Sequence, residues 1–157
     1  MFGNCFNITS IIFGNFNTES AEDLSYLFQN CENLKYFNEN FLTNILKFHT
    51  NNVTNMSGMF RNCNQIKDIT LFEWDVSKVI NMENMFYNCQ NLNYLYGLTL
   101  WDINNVKNMD NMFANCFKLI LSLDWIIKRY NNNIKEILKD NKIFRNCKSL
   151  KNYIQKQ

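Results

Sequence analysis

The sequence predicts an α/β repeat protein, in which about five helix–strand units stack into a solenoid with a parallel sheet along one face. All six cysteines of the 157 residues occur in the same tetrapeptide, Phe-x-Asn-Cys, at spacings of 26, 32, 26, 27 and 31 residues. An apolar residue precedes each Phe, and another follows each Cys by three positions. Such a period is typical of repeat architectures, in which each unit buries its apolar face against its neighbours. The six copies end at Cys5, Cys31, Cys63, Cys89, Cys116 and Cys147.

The segment before each Cys predicts a short helix. In the fourth copy Val79, Met82 and Phe86 share one face at helical spacing. Asn81 occupies the position of an N-cap, where its side chain would accept a backbone N–H. Glu83 then lies in the first turn, where a carboxylate is favoured by the helix dipole.

The segment after each Cys predicts a short strand, because apolar residues there recur every two or three positions and Tyr and Leu are frequent. If these strands align in parallel, the residues five and seven after each Cys point away from the core. That set is Ser10, Ile12, Tyr36, Asn38, Asp68, Thr70, Tyr94 and Tyr96. Tyr and Asn suit recognition, since they offer contact area and hydrogen bonds at low entropic cost. The predicted partner-binding residues are Tyr36, Asn38, Asp68, Thr70, Tyr94 and Tyr96.

The chain is predicted to be one repeat domain over residues 1–157. The spacing of the motifs divides it into a partial repeat, four full repeats and a divergent basic cap. The expected bounds are 1–19 for the partial repeat, about 20–47, 48–73, 74–100 and 101–125 for the full repeats, and 126–157 for the cap.

Asparagine is unusually frequent, with 30 residues, while proline is absent. This composition is typical of an AT-rich genome as much as of selection for chemistry. The three Asn-x-Ser/Thr sequons, at Asn7, Asn52 and Asn55, are therefore interpreted as chance.

Charge is unevenly distributed along the chain. Residues 1–127 carry 7 basic and 12 acidic side chains, a net charge of −5, whereas residues 128–157 carry 9 basic and 2 acidic, a net charge of +7. A basic segment of this kind could contact nucleic acid, an anionic membrane or an acidic protein, or it could be a solvated cap of the last repeat. Its candidate contact residues are Lys128, Arg129, Lys135, Lys139, Lys142, Arg145, Lys148 and Lys151.

The cysteines are predicted to form a structural ladder of buried thiols that pack as small hydrophobic groups. Each repeat supplies one Cys without a local partner, and His49 is the single histidine, so the spacing of zinc sites is not met. A disulfide framework of six cysteines stays possible, although equivalent positions of a stack lie on one line in the core.

No catalytic constellation is apparent. The four glycines form no phosphate-binding loop, and no Ser or Cys nucleophile has a plausible base. The sequence therefore predicts a protein that is not an enzyme and binds no cofactor or metal. It contains no apolar run of the roughly 18–20 residues that cross a bilayer and no recognisable signal peptide, so a cytoplasmic location is expected.

One stretch carries a family resemblance. The run WDVSKVINMENMFYNCQNLNYL, from Trp74 to Leu95, resembles the repeat of BspA-like leucine-rich-repeat surface proteins, above all the version of about 25 residues found in mycoplasma lipoproteins and also in some large DNA viruses. The resemblance covers residues 20–123 well, 1–13 as a partial unit and 126–153 loosely. It implies a right-handed leucine-rich-repeat solenoid and a role in adhesion or protein contact, often at the cell surface, and it brings no catalytic residues.

Two functions follow as hypotheses. The first is a protein-interaction module that binds a macromolecular partner, most readily a protein, through the strand face. The second is a structural or assembly component of a large complex or virion, in which the ends and the basic C-terminal segment contact neighbours, including nucleic acid or an anionic surface.

Overall fold

The computed structural model describes residues 2–11, 17–37, 49–122, 124–127 and 142–147. The four strands of these ranges each begin five residues after a Cys of the repeated motif. They pair in parallel as two two-stranded sheets, β1 with β2 and β3 with β4. The elements are β1 Ser10–Ile11, β2 Tyr36–Phe37, β3 Asp68–Thr70, β4 Tyr94–Tyr96, a 3₁₀ turn Leu98–Leu100 and α1 Asp124–Ile127.

The predicted solenoid of helix–strand repeats is wrong. Within the described ranges the helical segments are the 3₁₀ turn and the single turn α1, and neither falls on the segment before a Cys. That segment is a run of turns instead. Asn81 accepts a hydrogen bond from the Glu83 N–H at 3.0 Å, so its side chain caps a turn rather than a helix.

Left-handed backbone conformations explain why no helix forms in these segments. In the fourth repeat Asn84 has φ 56° and Asn88 has φ 60°. A right-handed helix needs negative φ at every residue, so a residue with positive φ ends the helix. The same two positions, five residues and one residue before the Cys, have positive φ in the neighbouring repeats: Tyr26 and Asn30, Gly58 and Asn62, Asn111 and Asn115.

Backbone hydrogen bonds run alternately within a repeat and between repeats. The Phe86 N–H donates to Met112 O at 2.9 Å and the Asn88 N–H donates to Ala114 O at 2.8 Å, both in the next repeat. The Cys89 N–H instead donates to Phe86 O, three residues back, at 3.2 Å. Backbone donors that a helix would satisfy internally are thus satisfied by the neighbouring unit. The turn units therefore stack on one another in chain order.

The core lies between these stacked units. The Phe of the motif stacks on its equivalent in the next repeat, with nearly parallel rings, and only Phe2 of the series is partly exposed. A second pair of stacked rings, Trp74 and Trp101, lies 6.2 Å apart. The motif rings follow one another at 5.6, 5.3, 5.5, 5.6 and 5.7 Å in the order Phe2, Phe28, Phe60, Phe86, Phe113 and Phe144.

Candidate functional site

The outward side of the short strands carries exposed tyrosines. Tyr36, Tyr94 and Tyr96 are 49, 38 and 46% exposed, whereas Phe37 and Leu95, the alternate strand residues, are buried. Because alternate residues of a strand point to opposite sides, the buried residues fix the tyrosines on the solvent side.

The strand register brings a carboxylate between two of these tyrosines. Asp68 is the parallel partner of Tyr94. On the other side β3 contacts β2. The Gln65 N–H, two residues after Cys63, donates to Glu32 O, one residue after Cys31, at 3.2 Å, which is the same one-residue offset as in the bond from the Tyr94 N–H to Lys67 O across β3 and β4. Asp68 therefore lies between Tyr36 and Tyr94 on the outer side of the strands.

Phe72 belongs to the same surface, although the sequence reasoning did not include it. It lies nine residues after Cys63, so it continues the two-residue alternation of Asp68 and Thr70, and it is 54% exposed. Its backbone packs against Gly97, where a Cβ would approach the Phe72 nitrogen to 2.7 Å. The surface is named the strand face and consists of Tyr36, Asp68, Thr70, Phe72, Tyr94 and Tyr96.

The remaining predicted strand residues have mixed placement. Thr70 is partly buried, and the rings of Tyr94 and Tyr96 stack on each other at 5.8 Å. Ser10 is exposed on β1. Asn38 and Ile12 lie outside the described residues.

The basic C-terminal residues are described at two positions. Lys142 and Arg145 are exposed, and Lys142 Nζ pairs with Asp110 Oδ2 of the preceding repeat at 3.2 Å. The others, Lys128, Arg129, Lys135, Lys139, Lys148 and Lys151, lie outside the described residues.

The cysteines form no disulfide in the structure, and five of the six are buried while Cys5 is partly exposed. Burial raises the pKa of the Cys89 and Cys116 thiols well above the usual range and that of Cys147 to about 12, because a thiolate would lose its hydration. Each buried thiol donates a hydrogen bond to the carbonyl oxygen of the motif Phe one repeat earlier. These bonds are Cys31 to Phe2 at 3.1 Å, Cys63 to Phe28 at 3.2 Å, Cys89 to Phe60 at 3.0 Å, Cys116 to Phe86 at 3.0 Å and Cys147 to Phe113 at 2.7 Å.

The asparagine that precedes each Cys has a structural role. Its side-chain amide donates to the equivalent side-chain oxygen of the previous repeat, as in a ladder of identical side chains. Four such bonds are described: Asn30 to Asn4 at 2.7 Å, Asn62 to Asn30 at 2.6 Å, Asn88 to Asn62 at 3.0 Å and Asn146 to Asn115 at 2.8 Å. Of the two explanations for the frequent asparagines, coding habit and selection, these positions favour selection, since the fold uses both their amide and their tolerance of positive φ.

An acidic hollow of about 480 Å³ is lined in part by the segment that follows Phe72 in the chain. Hydrogen bonds from Ser77 hold the pKa of Asp75 below its usual value. His49 Nε2 lies 3.6 Å from a carboxylate oxygen of Glu19. Among the described residues no group of His, Cys, Asp and Glu is arranged to hold a metal ion. The hollow is lined by Glu19, His49, Thr50, Asn51, Asn52, Glu73 and Asp75.

These observations define a repeat protein whose turn units are joined through backbone, asparagine and cysteine hydrogen bonds and whose short strands carry exposed aromatic side chains. The family model described as "Mycoplasma protein of unknown function, DUF285" matches the chain over residues 1–124 and again over 35–157. The chain belongs to this family, the mycoplasma BspA-like repeat family. Comparison with curated proteins and with solved structures gives no match. The helices in the described part of the chain are all too short to cross a membrane.

Proposed function

We propose that this chain is a non-enzymatic interaction module that binds a protein partner through the strand face. The observation that carries the proposal is that the strand face contains four exposed aromatic side chains: Tyr36 on β2, Phe72 two residues after β3, and Tyr94 and Tyr96 on β4. Exposed aromatic side chains of this kind, with polar residues among them, are typical of the centre of protein interfaces.

The local structure favours binding because the tyrosines are held in place before a partner arrives. Leu95, between Tyr94 and Tyr96, is buried, and the Tyr94 N–H donates to Lys67 O of the preceding repeat at 3.3 Å. A strand fixed in this way loses little further backbone entropy on association, and a tyrosine side chain has only two rotatable angles to order.

Family membership supports an adhesion-type role without naming a partner. The resemblance to BspA-like surface proteins implies protein contact, often at the cell surface. The relation of this family to leucine-rich repeats, and a viral source for this chain, stay predictions that rest on the sequence resemblance.

The proposal is tested by replacing Tyr36, Tyr94 and Tyr96 together with alanine. We expect the variant to lose capture of the proteins that the unchanged chain retains from an extract of its source organism. A matched control replaces three exposed apolar residues away from the strand face, Phe6, Ile80 and Phe117, which are 50, 43 and 38% exposed. Circular dichroism and the urea midpoint establish that both variants fold. Equal capture by the tyrosine variant, or equal loss by the control variant, contradicts the proposal.

The alternative of an assembly component that acts through its ends and the basic segment stays a prediction. The one described ion pair of that segment, Lys142 with Asp110, links it to this chain's own preceding repeat, as a cap would. Fractionation of native particles separates the two functions, since a building block stays in the particle whereas a recruited module exchanges.

A further inference from the structure

We infer that the strand face recognises a positively charged side chain, arginine or lysine, in an extended segment of the partner, with Asp68 as its counter-ion and Tyr36 and Tyr94 as its walls. This inference rests on the proposed function and specifies the chemistry of the partner.

Asp68 is an available carboxylate. It is exposed, and within the described part of the chain its side chain forms no hydrogen bond and no ion pair. Other acidic side chains of the repeats do have partners: Asp23 accepts from Ser25 and Asn55, and Asp110 pairs with Lys142.

The nearest lysines in sequence leave Asp68 available. Lys35 and Lys67 are exposed and come directly before Tyr36 and Asp68. Neither lysine nitrogen lies within 4 Å of a described carboxylate oxygen. The negative charge of Asp68 is thus not neutralised by a described neighbour.

The spacing of the rings fits a cation above Asp68. Neighbouring parallel strands lie about 4.8 Å apart, so Tyr94, the ladder partner of Asp68, stands about one strand spacing from it. Tyr36 lies on β2, which contacts β3 on the other side. A cation is attracted by an aromatic ring within about 6 Å of its centre. The fold contains such a contact across one repeat, since the Arg61 guanidinium carbon lies 5.2 Å from the centre of the Tyr87 ring. Asp68 and Tyr94 are also one repeat apart, so a guanidinium bound to Asp68 would contact the Tyr94 ring in the same way.

The charge around the strand face favours a basic partner over a longer range. Residues 1–127 carry a net charge of −5. Two of the residues that line the acidic hollow, Glu73 and Asp75, follow Phe72 closely in the chain. An acidic surface steers basic segments toward it and disfavours acidic ones. Residues 1–127, which carry the strand face, therefore favour basic residues beside the Asp68 contact, whereas the charge of +7 on residues 128–157 brings the full chain to +2.

The test uses a library of random peptides, each about 12 residues long, displayed on phage and selected on the immobilised full chain. We expect the selected peptides to share Arg or Lys at one position next to an aromatic or apolar residue. Asp68→Asn preserves the shape of the side chain and removes its charge, so selection on this variant should keep the apolar preference and lose the basic one. Glu22→Gln, an exposed position eight residues before Asn30 and away from the strand face, removes the same charge and serves as the control.

A synthetic consensus peptide then measures the contact directly. We expect replacement of its arginine by citrulline to weaken binding to the unchanged chain about tenfold, as for loss of one charge-assisted contact, and to have no effect on binding to the Asp68→Asn variant. Failure to select any peptide that competes for the strand face contradicts the proposed function itself. Selected peptides without a basic preference, or a citrulline effect that persists in the Asp68→Asn variant, overturn the inference about Asp68 and leave the proposed function standing.

Discussion

The thiol of Cys89 donates a hydrogen bond to the carbonyl oxygen of Phe60, one repeat earlier, at 3.0 Å. Cys89 is fully buried, so the sulfur both fills a small apolar site and satisfies a backbone acceptor between two units. This relationship explains why Cys recurs in the motif, since Ala lacks the donor and Ser has a smaller, more polar side-chain atom at the same site.

Replacement of Cys89 by alanine should lower the free energy of unfolding by about 1–3 kcal/mol, because it leaves Phe60 O with one donor fewer and opens a small cavity. Urea denaturation measures this change. Cys5→Ala is the control, because Cys5 is partly exposed, and its cost should stay below about 0.5 kcal/mol. Equal costs at both positions contradict a structural role for the buried thiol.

Stability should decrease as the pH rises through about 9, the ordinary pKa of a thiol, where about half of the unfolded thiols are ionised. The folded-state pKa of Cys147 is raised to about 12, and the pKa values of Cys89 and Cys116 are raised well above the usual value of 9.0. Since the unfolded chain releases these protons first, it binds fewer protons than the native chain in this window, and the free energy of unfolding falls. Urea midpoints measured from about pH 7 to about pH 10.5 check this, and a variant with Cys89 and Cys116 replaced by alanine should show a shallower decrease. A flat profile for the unchanged chain contradicts the burial of the thiols.

The asparagines have two roles, side-chain hydrogen bonding between repeats and a left-handed backbone conformation, and substitutions at Asn62 distinguish them. Asn62 has φ 63°, donates to Asn30 at 2.6 Å and accepts from Asn88 at 3.0 Å. Asn62→Gly removes the hydrogen bonds and keeps the left-handed backbone accessible, whereas Asn62→Ala removes the bonds and adds backbone strain. Ala should therefore be less stable than Gly by about 1 kcal/mol, and both should be less stable than Asn. A variant with Ala as stable as Gly, measured by thermal unfolding, contradicts the left-handed conformation at this position.

Gly97 connects the backbone to the strand face. It has φ 90°, and a Cβ there would approach the Phe72 nitrogen to 2.7 Å and the Phe72 Cα to 2.9 Å. Gly97→Ala should therefore displace Phe72 and the end of β4, lower the free energy of unfolding by about 1–3 kcal/mol and weaken peptide binding at temperatures where the variant is fully folded. Calorimetric titration with the selected peptide checks the second effect. If Gly97→Ala lowers the free energy of unfolding but leaves the peptide affinity unchanged, Phe72 does not belong to the binding surface.

The core could be predicted from the sequence because apolar periodicity reports burial whatever the backbone conformation. Val79, Met82, Met85 and Phe86 are all buried, as their spacing indicates. The conformation could not be predicted in the same way, because residues three or four apart share one side of a helix and also of consecutive turns. The signal against a helix is the repeated Asn one residue before each Cys, together with Gly58 five residues before Cys63, since Asn and Gly tolerate positive φ better than other residues.

The candidate site could be predicted in part from the sequence, because it depends on the two-residue alternation of a strand. Two-residue alternation after each Cys places Tyr36, Tyr94 and Tyr96 on the outside of their strands, and the structure has them exposed. Phe72 is found only when the alternation is followed for nine residues after the Cys rather than seven. The position of Asp68 between two rings depends on the register between its repeat and the preceding one. Cys31 and Cys63 are 32 residues apart rather than 26, so the register follows from the sequence only when the extra residues are treated as an insertion.

Photo-cross-linking from the strand face shows whether a partner binds there. A benzophenone amino acid replaces Tyr94 in one variant and the exposed Lys107, in the segment before the Cys116 motif, in another. Both variants are irradiated with the selected peptide and with an extract of the source organism. We expect an adduct of defined mass from position 94, lost on addition of excess peptide, and none from position 107. An adduct from position 107 with none from position 94 would contradict the assignment of binding to the strand face.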